Sequence, residues 1–423
     1  MEKQKKIAII GLGYVGLPLA LAFSKYFKVV GFDNNKKRIS DLSKGLDITN
    51  ELTHTELKKL KKINLTFDQK HLNSCNVYII TVPTPIDKLK KPDLKYLISA
   101  STTVGKCVSK GDIIIYESTV YPGATEGDCI PILEKYSSLK FNHDFFCGYS
   151  PERINPGDKK NNLKNIKKIT SGSTPKTAEF IDKLYLKIID AGTYKASSIK
   201  IAEAAKVIEN IQRDVNIALI NELSIIFNAL EIDTEEVLNA AASKWNFIKY
   251  KPGLVGGHCI SVDPYYLTHK AKSQGILSQV ILAGRKVNDS MASYIVNQLI
   301  KNMVKKEITI NKANILIMGF TFKENCNDIR NTMVSELALG LKEYNCNVDI
   351  YDPWIDISDI KKIYKYNFIA EVEKSKYDGI ILAVAHDKFK DIGIKKIRRF
   401  GKSSTIVYDL KHMFNKDQSD LRL

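Results

Sequence analysis

KIAIIGLGYVGLPLALAFSKYFKVVGFD, residues 6–33, is the stretch on which the fold of this 423-residue chain turns. Lys6 to Ile10 is a short apolar run of the kind that forms a strand buried on both faces. Gly11, Gly13 and Gly16 follow in the spacing G-x-G-x-x-G, then a helical stretch from Val15 to Tyr26. A second apolar strand, Lys28 to Phe32, ends in Asp33, which is 33 − 11 = 22 residues after the first glycine. The glycine pattern alone says little, but strand, glycine turn, helix, strand and acid in this order make a dinucleotide-binding unit. Gly11 permits the tight turn, Gly13 lets backbone approach a pyrophosphate, and Gly16 lets helix and strand pack closely, so that phosphates sit on the helix N-terminus. Asp33 is expected to bind an adenosine ribose and to repel a 2′-phosphate, which favours NAD over NADP; Arg38 softens that preference. The N-terminus also imitates a secretory signal, with the basic start MEKQKK, an apolar run and the triplet Ala20-Leu21-Ala22. The glycines and Asp33 decide for the cofactor reading. No other segment approaches the ~20 unbroken apolar residues of a membrane span, so no membrane partner is expected.

Working outward, 64 Lys+Arg against 47 Asp+Glu leave a net charge of +17. Only eight of the basic residues are Arg, which leaves 64 − 8 = 56 Lys spread along a chain that is also rich in Ile and Asn. Sequence-reading proteins lean on the Arg fork, and no nucleic-acid motif accompanies the basic runs near Lys159 to Lys168 and Lys395 to Arg399. These runs read as solvated surface, and a nucleic-acid partner is not expected. Seven dispersed cysteines, at 75, 107, 129, 147, 259, 326 and 346, carry no CxxC or framework spacing. That points to a reducing, cytoplasmic compartment, with chemistry confined to one or two thiols and no metal site.

Further strands are expected at Asn76 to Thr81, ending in Val82-Pro83-Thr84-Pro85, at Asp112 to Tyr116, ending in Glu117-Ser118-Thr119-Val120, and near Phe145 to Tyr149, leading into Ser150-Pro151-Glu152-Arg153-Ile154-Asn155-Pro156-Gly157. In an open α/β sheet such C-terminal strand ends face the ligand crevice. Ser198 to Leu230 holds neither Gly nor Pro and repeats apolar residues at the helical period. Such a helix is about 50 Å long, enough to join two domains, and its composition suggests burial nearly all round. Lys206 and Asn210, at i and i+4, are conspicuous on it, as a functional pair or as a solvated turn. From Ile308 the plan repeats: a strand Asn314 to Met318, Gly319 alone, a helix Val334 to Tyr344, a strand Val348 to Tyr351 closed by Asp352, and a strand Tyr377 to Val384. The fold class is therefore α/β, two doubly wound Rossmann-like domains joined by a long central helix. The expected domains are 1–197 for the cofactor, 198–305 for the central helices, and 306–423 for the other substrate.

Pro252 to Pro264, PGLVGGHCISVDP, is the most informative loop after the N-terminus. Its glycines let backbone approach a ligand, and Asp263-Pro264 reads as an N-cap with Pro at N1 of a helix Tyr265 to Ser273. Cys259 then lies just ahead of a helix N-terminus, whose field favours a thiolate. The competing reading is a small apolar Cys in a turn. His258 is no base for this Cys, because neighbouring side chains in extended chain point apart.

GLGYVGLPLA, VPTP, ESTVYPG, SPERINPGD, the helix with Lys206 and Asn210, GGHCISVDPYYL and GFTFKENCNDIRN together resemble the bacterial UDP-sugar 6-dehydrogenases in order over nearly the whole chain. The resemblance is closest to the branch acting on UDP-N-acetylhexosamines, UDP-GlcNAc or UDP-GalNAc, with UDP-ManNAc and UDP-glucose as alternatives. UDP-glucose dehydrogenases carry a Lys where this chain has Val262. The resemblance implies a four-electron oxidation of the sugar C6 alcohol to a carboxylate with two NAD+ reduced, by way of a thiohemiacetal and a thioester on Cys259, in surface polysaccharide (capsule or O-antigen) synthesis. It implies that Lys206 and Asn210 stabilise the C6 oxyanions, and that Glu152 and Asp263, with Thr119, position or deprotonate the hydrolytic water. The cofactor would meet Gly11, Gly13, Tyr14, Val15, Gly16, Asp33, Arg38, Thr81, Pro83, Thr84, Thr119 and Arg330. The UDP-sugar would meet Glu152, Arg153, Ile154, Asn155, Lys206, Asn210, Tyr250, Gly256, Gly257 and Lys323, with Arg153 and Asn155 reading the N-acetyl sugar. The long helix would form a homodimer core. A two-electron hydroxyacid dehydrogenase has no need of Cys259, and a non-catalytic NAD-binding protein no need of Lys206, Asn210, Glu152 and Cys259 together.

Overall fold

The computed structural model describes residues 5–49, 51–87, 89–152 and 163–423. The chain divides into two compact bodies, Met1–Glu209 with Tyr265–Ile276 and Asn210–Pro264 with Leu277–Leu423.

The first body is built on a six-stranded sheet of β1 (Lys6–Ile10), β2 (Lys28–Phe32), β3 (Asn64–Thr66), β4 (Val77–Ile80), β5 (Ile113–Tyr116) and β6 (Phe146–Tyr149), in the order β3-β2-β1-β4-β5-β6. Every pairing is parallel. Alternate residues of each strand serve different cores: Ala8 and Ile10 pack with Tyr78, Ile80 and Tyr116, whereas Ile7 and Ile9 pack with Val77, Ile79 and Ile115. Both faces are covered, which is why the strands are continuously apolar instead of alternating. Each such Ile contributes about 1.5–3 kcal/mol by its burial. The strand order reverses between β1 and β4, so a ligand crevice opens at their C-terminal ends. The helix expected from Val15 to Tyr26 is shorter, Gly16–Phe23. Ser24 folds its hydroxyl onto the Leu21 carbonyl at 2.8 Å, and the Tyr26 and Phe27 N–H groups both turn back to the Phe23 carbonyl. A separate parallel ladder joins β7 (Lys168–Thr170) to β8 (Thr193–Lys195).

The second body repeats the plan with β9 (Asn314–Met318), β10 (Asn347–Tyr351), β11 (Asn367–Phe368), β12 (Tyr377–Leu382), β13 (Gly401–Asp409) and β14 (Leu421–Arg422), in the order β11-β10-β9-β12-β13-β14. Its pairings are parallel as well. Ile315 and Ile317 face one core, Leu316 and Met318 the other.

The long helix spans Ile199–Ala229. Contrary to the expectation of burial all round, Ile201, Ile208, Leu219 and Ile226 are 50%, 52%, 53% and 45% exposed, while Ala202, Val207, Ala218 and Ile220 are buried. The exposed residues recur at steps close to whole numbers of turns, so they form one stripe. The helix Gln279–Lys305 has no forecast in the sequence reading; it lays Met291, Ile295, Leu299 and Met303 on the core of the second sheet. A buried polar chain links it to the long helix: Arg285 Nη1 donates to Asp214 at 2.6 Å, and Asn288 Nδ2 to Asp214 at 2.8 Å. Asn221 Nδ2 then donates to Asn288 at 2.8 Å and to the Gly253 carbonyl at 3.0 Å. Among the described residues no helix is long and apolar enough to cross a membrane.

Candidate active site

The glycine turn after β1 has the shape a dinucleotide requires. A Cβ on Gly16 would lie 1.9 Å from the Gly11 carbonyl oxygen, so only glycine allows this approach, whereas a Cβ on Gly13 would meet nothing within 4 Å and the loop is open there. Thr81 Oγ1 donates to the Gly11 carbonyl at 2.8 Å and braces the turn. Asp33 takes the Leu12 N–H on one carboxylate oxygen and the Asn35 N–H on the other, both at 2.9 Å, while remaining half-buried at the crevice edge. An open loop, a helix N-terminus and an acid at the edge fit NAD. Tyr14 and Val15 are half-buried on the loop and Pro83 is exposed beside it. Arg38 stands differently from expectation. It is 6% exposed, its Nε and Nη2 donate to the Leu12 carbonyl at 2.9 and 2.8 Å, and Nη1 pairs with Asp47 at 2.8 Å. It buttresses the glycine turn from within, because a buried guanidinium needs acceptors for its fixed fork of donors.

In the same body, Thr84 Oγ1 donates to the Thr119 carbonyl at 2.6 Å, joining two strand-end loops of the crevice. Beyond Thr119, Glu203 of the long helix accepts the Gly123 and Thr125 N–H groups at 2.5 and 2.9 Å. Glu152 follows β6 and is held by Lys168, at 2.9 Å. Lys168 closes one of the basic runs assigned to solvated surface, yet it is 4% exposed, because Glu117 and Glu152 both neutralise it. The sequence reading missed it, since charge counting along the chain cannot show which Lys meets a carboxylate inside. Arg153, Ile154 and Asn155 lie outside the described residues.

The turn Gly257 to Val262, in the second body, runs straight into the helix Asp263–Ser273, which includes Asp263 instead of starting after it and belongs to the first body from Tyr265 on. The Val262 and Asp263 N–H groups close on the Cys259 carbonyl at 3.0 and 2.8 Å, which fixes Cys259 at the mouth of the helix. Gly257 has φ 87°, and a Cβ there would strike Phe322 at 2.8 Å. Its N–H donates to the Asn331 carbonyl, and Asn331 Nδ2 donates to the Gly257 carbonyl, each at 3.2 Å. The motifs GGHC and NDIRN, 74 residues apart, are thus laced together. A Cβ on Gly256 would lie 2.6 Å from the Asn331 carbonyl. His258 turns to Asp328, 3.6 Å away, and edge-on to Phe322, in keeping with its exclusion as a base.

Lys206 and Asn210 are 5% and 1% exposed, which removes the solvated-turn reading. Asn210 Nδ2 donates to Asp263 Oδ2 at 2.5 Å, so the structure joins two of the expected catalytic residues directly. Arg330 forks onto Asp328, Lys323 and Tyr250 are half-buried, and the sulfur of Cys326 approaches the Lys323 carbonyl at 3.4 Å. Lys411, two residues past the end of β13, is a further candidate the sequence reading missed. Its ammonium lies 3.0 Å from where a Gly253 Cβ would be, and burial pulls its pKa down. The signal was there in its place just beyond a C-terminal strand end.

The thiols sort the same way. Six cysteines are buried and Cys259 alone is half-buried. Burial pushes Cys75 and Cys346 up to about 11 and Cys129 up to about 12, and raises Cys107, Cys147 and Cys326, which leaves those six inert at neutral pH.

Comparison with known proteins identifies the family. The UDP-glucose/GDP-mannose dehydrogenase family matches in three consecutive pieces, its NAD binding domain over residues 5–189, its central domain over 200–290 and its UDP binding domain over 316–416. A UDP-N-acetyl-D-glucosamine 6-dehydrogenase of Pseudomonas aeruginosa is 58% identical over 421 residues, covering 100% of both chains. One of Salmonella typhi is 59% identical over 418 residues, covering 99% of this chain and 98% of its own. The structure of UDP-D-ManNAc dehydrogenase from Pyrococcus horikoshii matches with a TM-score of 0.86 at 29% identity, over 97% of this chain and 96% of that one. With the three pieces in chain order and relatives similar along the whole length, the chain belongs to the UDP-glucose/GDP-mannose dehydrogenase family of NAD-dependent oxidoreductases.

Proposed function

We propose that this enzyme oxidises the C6 alcohol of a UDP-N-acetylhexosamine, UDP-GlcNAc or UDP-GalNAc, to the uronic acid in four electrons. The observation that carries the reading is Cys259, the one thiol outside the buried set, fixed at the mouth of a helix next to the Asn210–Asp263 pair. Bound NAD+ supplies the hydride acceptor for each of the two oxidations. Lys206 and Asn210 hold the C6 oxygen as it gains negative charge, which explains polar groups on the buried side of a helix. Cys259 sulfur adds to the C6 aldehyde, turning its carbonyl into the thiohemiacetal oxyanion, and departure of the remaining C6 hydride leaves a thioester. Asp263 and Glu152, with Thr119, position water for attack on the acyl carbon and take its proton, and the C–S bond breaks. Lys323 and Lys411 suit the diphosphate side of the substrate, with Arg330 toward the nicotinamide. The domain division 1–197, 198–305 and 306–423, a cytoplasmic location and a role in polysaccharide synthesis belong to the same reading. The exposed stripe of Ile201, Ile208, Leu219 and Ile226 supports a homodimer through the long helix.

A nucleotide-sugar panel with NADH detection tests this. Two NADH per uronate are expected, with UDP-GlcNAc or UDP-GalNAc faster than UDP-glucose, and Cys259→Ser losing at least about a thousandfold in uronate formation. One NADH per substrate, or steady uronate from Cys259→Ser, would end the thioester scheme.

A further inference from the structure

Lys168 opens β7 with its ammonium 2.7 Å from Glu117 Oε2 and 2.9 Å from Glu152 Oε2. It also lies 5.2 Å from the ring centre of Tyr185, whose hydroxyl donates to the other oxygen of Glu117. Four elements meet in this cluster: Glu117 follows β5, Glu152 follows β6, Lys168 begins β7, and Tyr185 sits on the helix Pro175–Leu186. The side chains of Lys168, Glu117 and Glu152 are 4%, 0% and 9% exposed. Burial works against the charge of Lys168, but Glu117 and Glu152 outweigh it and raise its pKa, while burial pushes Glu117 up to about 7. One cation between two buried carboxylates is a poor stability device, since a well-packed apolar set of the same volume often does as well or better. Its distinctive consequence is directional: a compact ammonium, itself anchored on Glu117, holds one oxygen of Glu152 in a fixed place.

We propose that Lys168 is a positioning residue for thioester hydrolysis, holding Glu152 by one carboxylate oxygen so that the carboxylate can act on the water that releases the product. The proposal rests on the functional reading given above. In the step concerned, water oxygen bonds to the acyl carbon and passes a proton to Glu152, the C–S bond breaks with Cys259 leaving as thiolate, and the uronic acid loses its proton. No oxidant is consumed.

The test follows the acyl-enzyme in the full chain mixed with UDP-GlcNAc and NAD+. Lys168→Met is expected to give a burst of two NADH per site at close to the wild-type rate, then a steady rate slower by about 100-fold, because a base that is out of place loses most of its contribution. Intact mass should show the uronyl group on Cys259, kcat/KM should move less than about 3-fold because acylation is untouched, and Lys168→Arg should recover activity to within about 10-fold of wild type. A purely structural Lys168 would lower burst and steady rate together, with no acyl-enzyme, and that result overturns the proposal. Should Lys168→Met fail to fold, Glu117→Gln keeps the shape of the cluster. Removing one of the two carboxylates that anchor Lys168 is expected to slow acyl-enzyme breakdown by about 10-fold with the burst unchanged, and an unchanged breakdown rate rejects the proposal. A wild-type enzyme that forms no acyl group on Cys259 rejects the functional reading together with this one; wild-type acylation with unchanged breakdown in Lys168→Met rejects this one alone.

Discussion

Both sheets run in the same strand order and both close their second strand with an aspartate, yet Asp33 and Asp352 do opposite jobs. Asp33 stays half-buried at the crevice edge, taking one backbone N–H on each oxygen. Asp352 is buried. Its Oδ2 accepts the Phe320 and Thr321 N–H groups at 2.7 and 3.1 Å, its Oδ1 accepts the Trp354 N–H at 2.8 Å, and His386 Nε2 sits 3.1 Å from Oδ2. His386 Nδ1 accepts the Asn325 N–H at 2.9 Å, so the ring proton is on Nε2 and is donated to Asp352. The same topological position stays open at the crevice edge in one body, as a ribose reader requires, and locks the loop before Lys323 in the other. What differs is the surroundings: a buried His stacked on Trp354 against an open loop at Gly13.

The largest effect expected from this contrast is at Gly16. Gly16→Ala places a Cβ into the Gly11 carbonyl, and NAD+ affinity should fall by more than about 100-fold, since the turn that meets the pyrophosphate is displaced. UDP affinity, read by titration calorimetry, should stay within about 3-fold; a parallel loss would show that the two sheets do not bind separately. Next is Asp352→Ala, which strands the Phe320 and Thr321 N–H groups and the His386 proton. Urea unfolding should show a loss of about 3 kcal/mol. Asp33→Ala should lose less than about 1 kcal/mol in the same assay, and comparable losses would erase the distinction between lock and reader. Asp33→Ala acts instead on cofactor choice: the ratio of kcat/KM for NAD+ over NADP+ should fall by about 10- to 100-fold.

The sequence made the first sheet legible because its strands are apolar runs between glycines and acids, and periodicity with turn chemistry suffices there. Asp352 was legible as a strand end but not as a lock, because His386 is 34 residues away and only folding brings them together. Cys259, Asn210 and Asp263 could be named from their motifs. The bond between the last two could not, since 53 residues separate them. The long helix was legible in length, but its exposed stripe was not, because apolar residues on several faces hide which face lacks a partner. Lys168 was misplaced because composition assigns long cations to water, and only a neighbouring carboxylate takes them inside.

The smallest effect separates the two bodies by the sign of their response to pH. Burial raises Glu117 from its ordinary carboxylate value to about 7, despite Lys168. In the folded state it therefore holds a proton that the unfolded chain has already released above about pH 4.5. Its contribution to stability is complete below that pH and is lost as pH rises toward 7. For Asp352 burial is the largest influence and works upward, but the His386 hydrogen bond and the backbone donors outweigh it and leave the pKa lowered. Its contribution is present above the ordinary Asp value near 4 and is lost as pH falls below it. Glu117→Gln should thus flatten the stability slope between pH 4.5 and 7 and leave the slope below pH 4 unchanged. Asp352→Asn should do the reverse. Denaturant unfolding of both variants from pH 3 to 8 reads the two slopes separately, and identical profiles would mean that the acids at the two ligand edges are held in the same way.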